Sequence, residues 1–70
     1  MKISYDPKVD AAYIQLKSGK FQVTTQRLTE DVAVNYAPDG SVAGIEVLDA
    51  SKYLLRHHRA EVELENLQAA

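Results

Sequence analysis

Residues 31–50, "DVAVNYAPDGSVAGIEVLDA", decide the fold of this chain. Val32, Val34 and Tyr36 alternate with Ala33 and Asn35, and beyond the turn Ala43, Ile45 and Val47 alternate with Gly44 and Glu46. That period of two marks strands with one apolar side. Between them, Ala37-Pro38-Asp39-Gly40 puts proline where a type I turn needs a fixed φ and glycine where the following bulge needs a left-handed residue. The segment therefore predicts a hairpin, but two demands on its register conflict. The turn chemistry pairs Ala37 with Ser41, which sets Val34 opposite Gly44 and Val32 opposite Glu46. Matching the apolar sides instead sets Val32, Val34 and Tyr36 on the face of Ala43, Ile45 and Val47. A one-residue shift moves every side chain to the other face, so the register at 37–41 stays open.

On the N-terminal side, "KISYDPKVDAAYIQLKSG" reads as two short strands around a turn. Ile3 and Tyr5 alternate with Lys2 and Ser4, and Asp6-Pro7 breaks the run because proline cannot donate to a ladder. Ala12, Ile14 and Leu16 then share a face opposite Tyr13, Gln15 and Lys17. "FQVTTQRLTE", with its thin apolar side, reads as an edge strand or an extended connection. On the C-terminal side the period changes. Asp49 or Ser51 suits a helix start, and Tyr53, His57, Ala60, Leu64 and Leu67 follow at spacings of four and three. The alternation in "AEVELE" offers a strand as the rival reading of 60–65.

The expectation is a single α+β domain over 1–70. It has a small antiparallel β-sheet of about four strands, near 2–5, 11–17, 31–37 and 42–48, built as a meander of hairpins. A C-terminal helix from about residue 50 packs on one face. Expected core members are Ile3, Tyr5, Ile14, Leu16, Val32, Val34, Ile45, Val47, Leu54 and Leu55.

Seventy residues bury only about 60% of their unfolded surface, and one such core supplies about 3–5 kcal/mol. With no cysteine, disulfides and thiolate metal sites are excluded, which points to self-association as the extra source of stability. Val42, Leu48, Tyr36 and Tyr13 are the expected patch, in a two-fold dimer. A net charge of −2 provides no basic excess to attract phosphate backbones. No run approaches the roughly 18 apolar residues of a membrane span, and no signal peptide opens the chain, so a cytoplasmic location is expected.

The candidate chemistry is thin. Asp6, Asp10, Asp39 and Asp49 sit at element boundaries, where aspartate ordinarily satisfies turn and cap N–H groups. A functional reading gathers two of them for acid/base work or a hard cation. Adjacent His57 and His58 diverge on a helix or a strand and lack the spaced partners of a zinc site. Arg56 and Arg59 form a small basic cluster, but Glu61, Glu63 and Glu65 follow at once. Tyr5, Tyr13, Tyr36 and Tyr53 lack the interleaved basic residues of a base-stacking platform and read as sheet and interface residues. No nucleophile elbow, triad or phosphate loop is present. Catalytic, cofactor-binding and metal residues are each expected to be none.

Two blocks, "YDPKVDAAYIQL" at 5–16 and "DVAVNYAPDGSVAGIEVLDAS" at 31–51, resemble a family of small bacterial domains catalogued as domain of unknown function 2283. Ala37 stands where that family often has an acidic residue, and Ala12 where a leucine is common. The resemblance implies a compact antiparallel sheet, no agreed catalytic residues, and an antitoxin-like or accessory binding role. The preferred function is therefore a non-enzymatic protein-interaction module that self-associates and binds a partner encoded nearby. One alternative is a small ligand-binding or enzymatic domain using the boundary carboxylates across a dimer. The other is a weak nucleic-acid binder through Arg56 and Arg59.

Overall fold

The computed structural model of the chain describes residues 1–56, 59 and 60. Five strands, β1 (Lys2–Asp6), β2 (Ala11–Gln15), β3 (Thr24–Arg27), β4 (Val32–Tyr36) and β5 (Val42–Leu48), form one sheet in the order β1-β2-β5-β4-β3. Every neighbouring pair is antiparallel. β3, β4 and β5 are a meander, but β2 docks on the open side of β5 instead of continuing it, so the expected meander of hairpins through the whole sheet is not what forms. β1 and β3 are the edges. The four expected strands are β1, β2, β4 and β5. The thin pattern at 21–30 forms edge strand β3.

The conflict in the central hairpin resolves because both demands are met. Near the turn, Ala37 N donates to Ser41 O at 2.8 Å and Gly40 N to Ala37 O at 2.9 Å, with Gly40 at φ +87°. Tyr36 then pairs with Val42, as the turn chemistry requires. The register shifts between Tyr36 and Asn35, so that Asn35 pairs with Gly44, Val34 with Ile45 and Val32 with Val47. Ala43 is the extra residue. Such a bulge places two residues opposite one and so changes the register within a ladder. The Ala43 carbonyl accepts N–H bonds from both Leu16 (2.8 Å) and Lys17 (3.0 Å), which ties the bulge to the end of β2.

A Cβ at Gly40 would meet nothing within 4 Å, so only the left-handed backbone demands glycine there. Gly40→Ala should therefore cost about 1–2 kcal/mol. Gly40→Asn should recover part of that, because asparagine tolerates this region better. Urea unfolding of the two variants checks the order.

Register separates the two faces. On face A lie Ile3 and Tyr5, Ala12 and Ile14, Ile45 and Val47, and Val32 and Val34, ending in the polar Thr24 and Gln26 of β3. Face B carries Lys2, Ser4 and Asp6, then Tyr13 and Gln15, Gly44 and Glu46, Ala33 and Asn35, and Thr25 and Arg27. Face B is roofed by its own long side chains. The Arg27–Glu46 ion pair, at 3.7 Å, spans Ala33, which is buried between them in the row. The Tyr13 ring lies over Gly44, where a Cβ would fall on its hydroxyl. Asn35 Nδ2 donates to Tyr13 Oη at 3.3 Å, and Thr25 Oγ1 donates to Asn35 Oδ1 at 2.6 Å. That row of contacts reaches across β2, β5, β4 and β3.

Two expectations are corrected here. The helix is a single turn, α1 (Ser51–Leu54), and the chain passes at once into β6 (Leu55–Arg56), which pairs with β7 (Arg59–Ala60). The described fold is thus mostly β, and Leu55–Arg56 and Arg59–Ala60 are strand where the spacing predicts that the helix continues. His57, Leu64 and Leu67 of that spacing lie outside the described residues. One turn gains too few hydrogen bonds to propagate unaided. Residues 61–65 of the rival strand reading lie outside the described residues. The core is also shallower than expected. Val34 and Val47 are buried and Ile14, Val32 and Ile45 half-buried, but Ile3 (43% exposed), Tyr5 (41%) and Leu16 are exposed. The side chains of Leu54 and Leu55 lie outside the described set. Ile3 and Tyr5 are exposed because β1 is an edge with a neighbour on one side only.

Candidate functional site

The boundary carboxylates come first, since an active site would need them together. Asp6, Asp10 and Asp49 lie at one end of the sheet, with the β1–β2 turn and the exit of β5, and Asp39 lies in the β4–β5 turn at the other end. A site built from all four is therefore not formed. Asp6 Oδ1 accepts from Lys8 N at 2.9 Å, the local turn bond that aspartate favours at such a position. Asp39 accepts from Ser41 N (3.0 Å), Ser41 Oγ (2.6 Å) and Lys17 Nζ (2.9 Å). The Ser41 hydroxyl first, then Lys17, holds its carboxyl far below the ordinary carboxylate range. Asp49 sits at φ +50° and offers its carbonyl to Lys52 N at 3.0 Å.

Asp10 has the longest reach. Its Oδ1 accepts from Tyr5 Oη (2.7 Å) and from Ser51 N (2.9 Å), and its Oδ2 from Ser51 Oγ (2.7 Å). The Asp10 carbonyl also accepts from Ala50 N at 2.9 Å. The first N–H groups of a helix have no partner within it, and here the cap comes from a turn 41 residues away instead of from Asp49 or Ser51. The Tyr5 hydroxyl and then Ser51 lower the Asp10 pKa, and the same bond raises that of Tyr5. Below this contact, Ala50 is fully buried against Ala12 and Val47, with Ile45 beside them.

A second clasp was not evident in the sequence. Asp31 Oδ2 accepts from Tyr53 Oη (2.6 Å) and from Lys52 Nζ (3.1 Å), while its carbonyl accepts from Leu48 N at 2.7 Å. The Tyr53 hydroxyl, then Lys52, lowers the Asp31 pKa, and Asp31 raises that of both donors. Asp10 from the β1–β2 turn and Asp31 from the β3–β4 turn thus hold α1 from two sides.

An open groove of about 260 Å³ runs along β1 and β2, lined by Ser4, Asp6, Val9, Tyr13 and Glu46 among others. Of the four boundary carboxylates it holds Asp6 alone. Among the described residues no three His, Cys, Asp or Glu side chains converge as metal ligands. His57 and His58 lie outside the described residues, and Arg56 and Arg59 are backbone register partners in the β6–β7 pair.

The tyrosines do not form one platform, since Tyr5 and Tyr36 belong to face A and Tyr13 to face B. The expected association patch is divided the same way. Val42 and Tyr36 pair on face A, whereas Leu48 and Tyr13 are on face B. Tyr13 finds its contact within the chain, on Gly44. What remains is face A. Its large side chains range from buried Val34 (8% exposed) and Val47 (9%), through half-buried Val32, Ile45 and Ile14, to exposed Ile3 and Tyr5 at the β1 edge.

No helix among the described residues is long and apolar enough to cross a membrane. Neither a curated protein nor a solved structure matches the chain. A family model described as "Protein of unknown function (DUF2283)" matches residues 2–51. That span holds all five strands of the sheet and the Asp10–Ser51 contact, and by it the chain belongs to the DUF2283 family.

Proposed function

We propose that this chain is a non-enzymatic protein-interaction module that self-associates through the β1 side of face A, in an antitoxin-like or accessory role beside a partner protein. One observation carries the reading: among the described residues no large side chain is fully buried, and the most deeply buried positions are the alanines 12, 33, 43 and 50. A sheet with an apolar face is stabilised when another element packs on that face, and apolar side chains on an edge strand gain contacts when a further strand pairs beside them. Apolar surface left at the edge of a small domain marks an interaction site. Asp10 and Asp39 support the non-enzymatic part, because each carboxylate holds three donors. A catalytic carboxylate needs a face turned to substrate.

The concentration dependence of unfolding tests this. Where association stabilises the fold, the melting temperature rises with protein concentration, since the copy binds the folded state and not the unfolded one. A melting temperature constant over a hundredfold range of concentration would show that the chain satisfies face A by itself, and the reading would fail.

A further inference from the structure

We infer that two copies join through β1, antiparallel strand to strand about a two-fold axis at Ser4, so that two five-stranded sheets become one. The inference rests on the self-association reading above and specifies its geometry.

β1 is an open edge: all five of its residues are exposed, and its outer side has no strand beside it among the described residues. Natural edges are blunted by short length, charged side chains, proline or bulges, and β1 has the first two, with five residues and Lys2 and Asp6 at its ends. Within Lys2–Asp6 there is no proline, and β1 pairs with β2 without a register shift.

The sequence "KISYD" is also complementary to itself when reversed. Centred on Ser4, antiparallel pairing sets Lys2 opposite Asp6 of the second copy, Ile3 opposite Tyr5 of the second copy, and Ser4 opposite Ser4. Each pair occurs twice except the last. Lys2, Ser4 and Asp6 share face B, so both ion pairs form there. Ile3 and Tyr5 share face A, so both aliphatic–aromatic pairs form there. Opposite charges and aromatic–aliphatic partners directly across a ladder are the favourable cross-strand pairs.

Other registers lose this. A shift of one residue joins face A of one copy to face B of the other. A shift of two leaves Lys2 and Asp6 without each other. The charges are available for the contact: Lys2 makes no ion pair among the described residues, and Asp6 uses only Oδ1, for Lys8 N. Edge β3 has no such match. Its face A residues are Thr24 and Gln26, and Arg27 is already engaged by Glu46 and by the Glu30 carbonyl. Pairing at β1 continues the apolar face across the axis and gives exposed Ile3 and Tyr5 each a partner side chain directly opposite.

The chain has no cysteine, so Ser4→Cys introduces a lone thiol that meets its counterpart across the axis. Directly opposed antiparallel residues have Cα atoms about 4.5–5.5 Å apart, within disulfide range. In Lys2→Cys the two thiols would be separated by four residues of strand, roughly 13 Å. The expected result is rapid oxidation of Ser4→Cys to a covalent dimer, with Lys2→Cys and Val42→Cys far slower. Adding Lys2→Glu to Ser4→Cys should slow cross-linking by about tenfold through two like-charge pairs. Adding Asp6→Lys as well should restore it, with circular dichroism verifying the fold of each variant. If the protein dimerises in sedimentation yet Ser4→Cys cross-links no faster than Val42→Cys, the edge pairing is wrong and the association reading survives. A monomer in sedimentation that does not cross-link overturns both.

Discussion

Gly44→Ala should cost about 1–3 kcal/mol, the range for overfilling a packed site, in a domain whose core supplies about 3–5 kcal/mol. Glycine is needed at this position because other groups approach it closely, and no left-handed backbone is involved. A Cβ there falls on the Tyr13 hydroxyl and ring and comes within 2.9 Å of the Ile14 carbonyl oxygen. The ring can swing away, but it then loses its bed on β5 and the bond from Asn35. The Ile14 carbonyl belongs to the backbone of β2, where Ile14 is paired on one side with Ile3 and on the other with Ile45, and it has little freedom. A double-mutant cycle with Tyr13→Ala separates the two contributions. Tyr13→Ala alone destabilises by uncovering Gly44, and in that background Gly44→Ala should cost markedly less. Strict additivity of the two, read from urea unfolding, would contradict the described packing.

Asp10→Asn should produce the second-largest effect, a fall of several degrees in melting temperature at neutral pH. It retains a residue that tolerates φ +51° while replacing one of two acceptor oxygens by a donor. Oδ1 can still accept from Tyr5 and Ser51 N, but the Ser51 Oγ bond to Oδ2 must reverse or break, and the cap of α1 loses its charge-assisted strength. The pH dependence follows from the direction of each shift. Asp10, Asp31 and Asp39 all titrate below the ordinary 3.8 when folded. Between the folded and unfolded values the unfolded chain binds more protons, so their contribution is complete above about pH 4 and lost as pH falls through the folded values. Tyr5 and Tyr53 lie above the ordinary 10.0 and Lys52 above 10.5. Their contribution is therefore complete below about pH 10 and lost as pH rises further. Melting temperatures against pH should fall on both sides for the wild type, and Asp10→Asn should flatten part of the acid side. An unchanged acid side would mean that Asp10 does not hold α1.

The sheet was legible in the sequence wherever the signal was local. Alternation in 2–5, 11–17, 31–37 and 42–48 located four strands, and Pro38-Asp39-Gly40 located the tight turn. The bulge was hidden because it is the joint solution of two requirements, each of which points to a different register when read alone. The cap of α1 was hidden for a related reason. Asp49 and Ser51 are the local candidates, but the donors of Ser51 go to Asp10, 41 residues away, a distance no local pattern reports. Asp31 escaped notice similarly, its partners Lys52 and Tyr53 being 21 and 22 residues distant. Tyr13 looked like a residue in search of an interface, and its interface is a glycine on the neighbouring strand. After Ser51 the described residues keep the helix for one turn only and then pair as β6 and β7, while His57, Leu64 and Leu67 of the helical spacing lie outside the described residues.

The reading of this domain as a self-associating module is tested most directly by sedimentation equilibrium of the wild-type protein at micromolar concentration. The account predicts a concentration-dependent mass approaching twice the 7.8 kDa of one chain. A single species of 7.8 kDa at every concentration would contradict it.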